Sequence, residues 1–124
     1  MSSRILLIDD DSQFRGMLRQ VLGREGYEVV EARDGREGIA RYRSTPTDLI
    51  ITDILMPEQE GLQTIRELRH EFPGVKIIAV PGGGSVGTLK SLRIAKLLGA
   101  QRTLWKPFDL AELRQAIRDV LKVL

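Results

Sequence analysis

Short apolar runs in this chain stop at charged residues, and this pattern constrains the fold more than any other. One run ends at Asp9 and Asp10, a second ends next to Asp53, and a third ends at Lys106. Apolar runs of this length are typical of buried strands in an α/β sheet, and parallel strands bring their carboxyl ends to a common edge. Ligands of open α/β sheets bind at that edge. The sequence therefore predicts one pocket that holds three carboxylates and one lysine.

The predicted pocket has the composition of a magnesium site. Carboxylates that lie close together repel one another, and a hard divalent cation with oxygen ligands relieves this repulsion best. We therefore expect a Mg²⁺ ion there, with room for a phosphoryl group beside it. An alternative is that Asp9, Asp10 and Asp11 only cap the helix that follows, but this alternative gives Asp53 and Lys106 no role.

Length and composition exclude several other classes of function. The chain has 124 residues, which predicts a single domain over residues 1–124, and it has no cysteine for a disulfide, a thiolate nucleophile or a zinc cluster. We find neither a signal peptide nor an apolar run of transmembrane length, which predicts a cytoplasmic protein without membrane contact. Residues 85–124 carry eight Lys/Arg against three Asp/Glu. With two aromatic residues in that part of the chain, we expect solvated helices there and no nucleic-acid partner.

Strand and helix patterns alternate along the whole chain. The predicted strands are Arg4–Ile8, Glu28–Ala32, Leu49–Thr52, Lys76–Val80 and Gln101–Trp105. The predicted helices are Ser12–Arg24, Gly35–Arg43, Leu62–Phe72, Val86–Leu98 and a last helix that begins at Asp109. Glu112 follows Asp109 by three residues and completes a capping box. Five such units predict an α/β protein whose doubly wound parallel sheet has helices on both faces.

Five motifs in a fixed order resemble a known family. They are Asp9-Asp10, the segment from Asp53 to Pro57, Gly61, Gly99-Ala100 and the segment from Lys106 to Phe108. On these residues the chain resembles the CheY-like receiver domain of bacterial two-component response regulators, over essentially its whole length. The resemblance implies a flavodoxin-like five-stranded sheet of strand order 2-1-3-4-5 with five helices. It also implies a phosphorelay in which a histidine kinase or a histidine phosphotransfer protein phosphorylates an aspartate.

The resemblance also assigns roles to individual residues. Asp53 would be the phosphoacceptor, because a carboxylate can attack a phosphohistidine. Mg²⁺ would be held by Asp9, Asp10, Asp53 and the backbone carbonyl of Leu55. Lys106 would contact Asp53 and a phosphoryl oxygen. The chain would thus be a phosphoacceptor in signalling, which promotes only its own phosphorylation and dephosphorylation, and not an enzyme with a separate substrate.

The family docks its phosphodonor protein beside the first helix and the loop after strand five. The matching residues here are Phe14, Arg15, Leu18, Pro107 and Phe108. Phe14 has an alternative role as a core residue, because it repeats with Leu18 and Val21 on one helical face. In the family the Lys106–Pro107 peptide bond is commonly cis. The resemblance further implies a stand-alone receiver that acts on an unknown downstream protein target by contact.

The chain departs from the family pattern at the switch positions. Pro81 stands where receivers carry a Ser or Thr hydroxyl, and Thr103 occupies the position of the aromatic switch residue. A first alternative is therefore a pseudo-receiver, an interaction module with weak or no dependence on phosphorylation. Residues 82–87 also match the pattern G-x-G-x-x-G, which favours a second alternative, a nucleotide-binding α/β domain. That pattern lacks the acidic residue about twenty positions on that would bind the ribose.

Overall fold

A computed structural model describes residues 3–54, 60–80, 93, 96 and 99–122 of the chain. Its strands are β1 (Arg4–Ile8), β2 (Glu28–Ala32), β3 (Leu49–Asp53), β4 (Ile77–Val80) and β5 (Arg102–Thr103). They form one parallel sheet in the order β2-β1-β3-β4-β5. The predicted α/β fold and its strand order 2-1-3-4-5 are therefore confirmed.

Four complete helices lie within the described residues. They are α1 (Ser12–Arg24), α2 (Gly35–Ser44), α3 (Glu60–Glu71) and the C-terminal helix (Leu110–Leu121). Arg93 and Lys96 are also helical and lie inside the fourth helix that the sequence predicts. The rest of that predicted helix falls outside the described residues. None of the described helices is long and apolar enough to cross a membrane.

Aspartate side chains cap both α1 and the C-terminal helix at their first turns. The carboxylate of Asp11 accepts hydrogen bonds from the backbone N–H groups of Gln13 and Phe14, at 3.0 and 3.1 Å. Asp109 accepts from the N–H of Glu112 at 2.8 Å, and the Glu112 side chain accepts in return from the N–H of Asp109. The predicted capping box is confirmed, and α1 begins directly after the acidic turn that follows β1.

The two strands nearest the far edge of the sheet are shorter than predicted. The sequence favours Lys76–Val80 and Gln101–Trp105, whereas β4 begins one residue later and β5 covers only Arg102–Thr103. At the amino ends of both strands, the side-chain amide of Gln101 bonds to backbone groups. It accepts a hydrogen bond from the N–H of Ile77 at 2.7 Å and donates one to the carbonyl of Val75 at 3.0 Å. A side chain therefore takes up backbone groups that a longer ladder would pair.

Both faces of the three central strands, β1, β3 and β4, are buried, which explains why these strands are mostly apolar. One cluster packs α2 and α3 against the sheet, and it includes Leu6, Ile8, Ile39, Ile50, Ile65 and Leu68. The other packs α1 and the C-terminal helix against the opposite face, and it includes Ile5, Leu7, Leu22, Ile51, Leu113 and Ile117. Alternate residues of β1 belong to opposite clusters, as expected for a strand covered on both faces. This packing holds β1 firmly up to the point where the acidic turn begins.

Candidate metal site

The carboxyl edge of the sheet brings the predicted acidic residues together. Strands β1 and β3 are neighbours, so Asp9 and Asp53 lie at the same edge. One carboxylate oxygen from each of Asp9, Asp10 and Asp53 lies within 4.8 Å of the other two. Asp9 and Asp53 are buried, with 5% and 6% of their surface exposed, whereas Asp10 is exposed. The structure therefore contains the three-carboxylate cluster that the sequence predicts.

The chemistry of this cluster fits a magnesium ion. Burial removes two carboxylates from bulk water, and their mutual repulsion adds to the cost of keeping them charged. A divalent cation that prefers oxygen ligands offsets both effects, and Mg²⁺ binds proteins through one or two carboxylates together with water. Asp10 faces solvent, which leaves a side of the cluster open to an ion. The predicted carbonyl ligand of Leu55 lies outside the described residues.

Lys106 supplies the one positive charge described in direct contact with these carboxylates. Its ammonium nitrogen lies 3.0 Å from Asp9 Oδ2 and 3.7 Å from Asp53 Oδ2, and the side chain is 20% exposed. The same nitrogen lies 4.0 Å from the centroid of the Phe14 ring, within the range of a cation–π interaction. Lys106 is thus oriented by two carboxylates and one aromatic face. The peptide bond from Lys106 to Pro107 is cis, as the resemblance implies.

Asp9 has hydrogen-bonding partners on its backbone amide and on both carboxylate oxygens. Its N–H donates to the carbonyl of Ala32 at 3.1 Å. Its Oδ1 accepts from the N–H of Asp11 at 2.9 Å, and its Oδ2 accepts from Lys106. These contacts fix the side chain of Asp9 within the turn, so the structure supports a preorganised site.

The residues predicted to face a partner differ in how far they are exposed to solvent. Phe14 and Phe108 are half-buried and contact each other edge to face, with ring centroids 5.9 Å apart, and Pro107 is exposed. Leu18 is 3% exposed and belongs to the core between α1 and the sheet. The prediction that Leu18 faces a partner is therefore wrong, because its side chain is already enclosed by the fold. Arg15 also turns inward, with 16% of its side chain exposed.

Sequence patterns did not single out Met17, which is 48% exposed on α1. It lies one helical turn after Phe14, so its side chain lies on the neighbouring part of the helix surface. The sequence contained a signal for this exposure, because Met17 is apolar but does not share the helical spacing of the buried residues Leu18 and Leu22. We use the name α1 surface for four apolar residues: Met17, Phe14 one turn before it, Phe108, whose ring contacts that of Phe14, and the exposed Pro107.

The altered switch positions are only partly within the described residues. Thr103 lies in β5, pairs with Ala79 of β4 and is half-buried. Pro81 and the glycine-rich segment 82–87 lie outside the described residues. Their predicted effects on the switch and on nucleotide binding stay predictions.

Comparisons with known proteins agree with this geometry. The model of the response regulator receiver domain family matches residues 5–118. The chemotaxis protein CheY of Thermotoga maritima is 33% identical over 98% of this chain and 100% of its own length. The response regulator MprA of Mycolicibacterium vanbaalenii is 38% identical over 98% of this chain, which spans 52% of MprA. Relatives therefore include proteins of this size and proteins about twice as long.

Solved structures show the same architecture. The CheY-like receiver domain protein of Methanospirillum hungatei superimposes with a TM-score of 0.88 at 30% identity, over 98% of this chain and 94% of the other. The chemotaxis protein CheY4 of Vibrio cholerae gives a TM-score of 0.86 at 29% identity, over 97% and 99% of the two chains. The fold and the sequence thus point to the same group of proteins.

Proposed function

Because the chain belongs to the response regulator receiver domain family of two-component signalling, we propose that it accepts a phosphoryl group on Asp53. The donor is a histidine kinase or a histidine phosphotransfer protein. The observation that carries this proposal is the buried carboxylate of Asp53, which shares a pocket with Asp9 and Asp10 and lies 3.7 Å from the ammonium of Lys106. The family is one of signalling proteins, so the product is a changed state of the chain itself.

The proposed step transfers one phosphoryl group between two nucleophiles. An oxygen of the Asp53 carboxylate attacks phosphorus, the bond from phosphorus to the donor nitrogen breaks, and its electron pair returns to the imidazole. Lys106 would stabilise negative charge on an equatorial phosphoryl oxygen. When bound by the carboxylates of Asp9, Asp10 and Asp53, Mg²⁺ would supply charge compensation that one lysine cannot provide.

Magnesium should stabilise the folded chain measurably. Binding to the folded state alone, at a concentration 100 times the dissociation constant, raises the free energy of unfolding by about 2.7 kcal/mol. We expect Asp10→Asn to remove most of this increase, because it takes one charged ligand out of the cluster. Urea unfolding with Mg²⁺ and with EDTA measures the difference.

Asp48→Asn is the matched control for this measurement. Asp48 accepts a hydrogen bond from the N–H of Arg4 at 2.7 Å, at the amino end of β1 and far from the acidic cluster. The Asp48→Asn variant should retain the full Mg²⁺-dependent increase in the free energy of unfolding. Equal stabilisation of Asp10→Asn and the unaltered chain would show that Asp10 does not bind the ion.

We propose that the α1 surface receives the phosphodonor protein. Met17→Glu should slow phosphotransfer from such a protein about tenfold, because it places a charge within an apolar contact. Labelling by acetyl phosphate should be unchanged, since Met17 is exposed on α1 and is not one of the residues of the acidic cluster. Ala40→Glu, an exposed alanine on α2, introduces the same charge elsewhere and should change neither rate. Slower labelling of Met17→Glu by both donors would place the defect in the pocket and contradict this surface.

Action on a target by protein contact is part of the same proposal, whereas a stand-alone receiver stays a prediction of the sequence. The relatives include a chemotaxis protein of similar length and longer regulators of which this chain spans about half. A cytoplasmic location and the single domain over residues 1–124 stay predictions of the sequence. An unaltered chain that takes up no phosphate from acetyl phosphate or from a kinase would favour the pseudo-receiver alternative.

A further inference from the structure

Arg15 reaches from α1 into the turn that carries the acidic cluster. Its Nη1 donates a hydrogen bond to the backbone carbonyl of Asp9 at 2.6 Å. Its Nε donates to Oε1 of Glu31 in β2 at 2.9 Å. Only 16% of the side chain is exposed, so this guanidinium is committed to two internal partners. A charged group held in this way costs free energy to desolvate, and the fold retains it with both bonds formed.

Glu31 is in turn held by a second arginine. Arg19 lies one turn further along α1, and its Nη1 donates to Glu31 Oε2 at 2.8 Å. Hydrogen bonds from Arg19 and then Arg15 hold the pKa of the Glu31 carboxyl below its usual range, against the opposing effect of burial. The carboxylate therefore stays charged at neutral pH and fixes the position of the Arg15 guanidinium.

The bond from Arg15 completes the set of contacts around Asp9. The amide and both carboxylate oxygens of Asp9 have the partners described above, and the carbonyl is the polar group that remains. This carbonyl belongs to the peptide unit that joins Asp9 to Asp10. The orientation of this peptide unit therefore fixes how the backbones of Asp9 and Asp10 are oriented relative to each other.

We propose that Arg15 is a positioning residue of the acidic cluster: by holding the Asp9 carbonyl, it fixes the turn that presents the carboxylates of Asp9 and Asp10 to a divalent cation. This inference rests on the proposed function for the identity of the ion. It assigns Arg15 to the site itself and removes it from the partner surface that the resemblance implies.

Charge and geometry predict opposite effects when Arg15 is replaced. A positive charge held at the turn of the acidic cluster repels a cation, so loss of that charge alone would tighten Mg²⁺ binding. Loss of the anchor on the Asp9 carbonyl lets the turn adopt other orientations and weakens binding. The sign of the change therefore separates a positioning role from a purely electrostatic one.

The first measurement is the affinity for Mg²⁺ by isothermal titration calorimetry. Arg15→Gln should raise the dissociation constant by about tenfold, the effect of losing one modest hydrogen bond. Arg15→Lys keeps the charge but lacks the planar fork that reaches both partners, and it should give a smaller increase of about threefold. Arg19→Gln is the matched control, because it loses a bond to Glu31 without touching Asp9, and it should stay within about twofold of the unaltered chain.

The second measurement needs no metal. The N–H of Asp11 is bonded to Asp9 Oδ1, so its hydrogen exchange reports the order of the turn. In EDTA, Arg15→Gln should accelerate exchange of this amide by about tenfold relative to the amide of Leu6 in β1, and Arg19→Gln should not. The exchange result separates a loss of the turn from a general loss of stability, which would accelerate both amides together.

Tighter or unchanged Mg²⁺ binding in Arg15→Gln would overturn the inference, as would exchange at Asp11 equal to that of the unaltered chain. Full affinity in Arg15→Lys would overturn the requirement for the planar guanidinium, because a lysine would then hold the Asp9 carbonyl equally well. If the unaltered chain binds no Mg²⁺, the proposed function fails, and the exchange measurement still decides whether Arg15 orders the turn.

Discussion

The Asp53→Asn variant is expected to take up no phosphate from acetyl phosphate, whereas the unaltered chain takes up one equivalent in the presence of Mg²⁺. An amide nitrogen or oxygen does not form the acyl phosphate that a carboxylate forms, so the loss should be complete. Asn has nearly the same volume as Asp, and Asp53 is only 6% exposed. The variant should therefore fold, and the loss of phosphate uptake should result from removal of the nucleophile. Intact-mass spectrometry after incubation measures the uptake directly.

Asp34→Asn is the control for this experiment. Asp34 also follows a strand at the carboxyl edge, but its side chain caps α2 by accepting from the N–H of Glu37 at 2.8 Å. An asparagine caps a helix as well as an aspartate does, so labelling and stability should both be retained. Labelling of Asp53→Asn at the level of this control would contradict the assignment of Asp53 as the phosphoacceptor.

The second large effect is expected at Gly61, the second residue of α3. A Cβ atom there would lie 2.5 Å from the carbonyl oxygen of Asp53 and closer still to Cα of Ile54. Both are backbone atoms of a buried strand end, which cannot move aside as a flexible side chain does. We expect Gly61→Ala to lower the free energy of unfolding by about 3 kcal/mol, at the upper end of the cost of overpacking. It should also slow labelling, since any relief of the clash displaces Asp53.

Gly16→Ala is the matched control for this substitution. Gly16 lies within α1, and a Cβ atom there meets nothing within 4 Å. Helix propensity alone then applies, and it should raise the free energy of unfolding by about 0.5–1 kcal/mol. We therefore expect the same substitution to lower the free energy of unfolding at Gly61 and to raise it at Gly16, and urea unfolding of the two variants measures both changes. A stabilised Gly61→Ala would mean that α3 does not approach β3 as closely as the structure has it.

Asp53 and Gly61 show what local sequence patterns can and cannot predict. The sequence placed Asp53 at the end of a strand, because an apolar run that stops at a charge is visible in a few adjacent residues. It also placed Gly61 at the opening of a helix. It did not show that a side chain at position 61 would strike the backbone that carries Asp53. That contact depends on how closely a helix and a strand approach, which no run of neighbouring residues encodes.

Arg15 and Leu18 show the same limit at the partner surface. Both were predicted to face a partner because they match family positions on the first helix. The structure encloses Leu18 in the core and directs Arg15 toward Glu31 and the carbonyl of Asp9. The period of a helix tells which residues share a face. The packing of that helix against the sheet decides which face meets solvent.

The sequence by itself therefore determined the number and approximate position of the strands, the capping box of the C-terminal helix, the strand order through the resemblance, and the meeting of three carboxylates and one lysine at one edge. These features depend on short-range periodicity, on capping, and on the rule that parallel strands end at a common edge. Only the tertiary structure decided which groups hold those carboxylates in place. Arg15 and Glu31 lie sixteen residues apart, and Lys106 and Asp9 lie ninety-seven apart. Such pairs form only after the elements have packed, because their geometry depends on the relative placement of whole strands and helices.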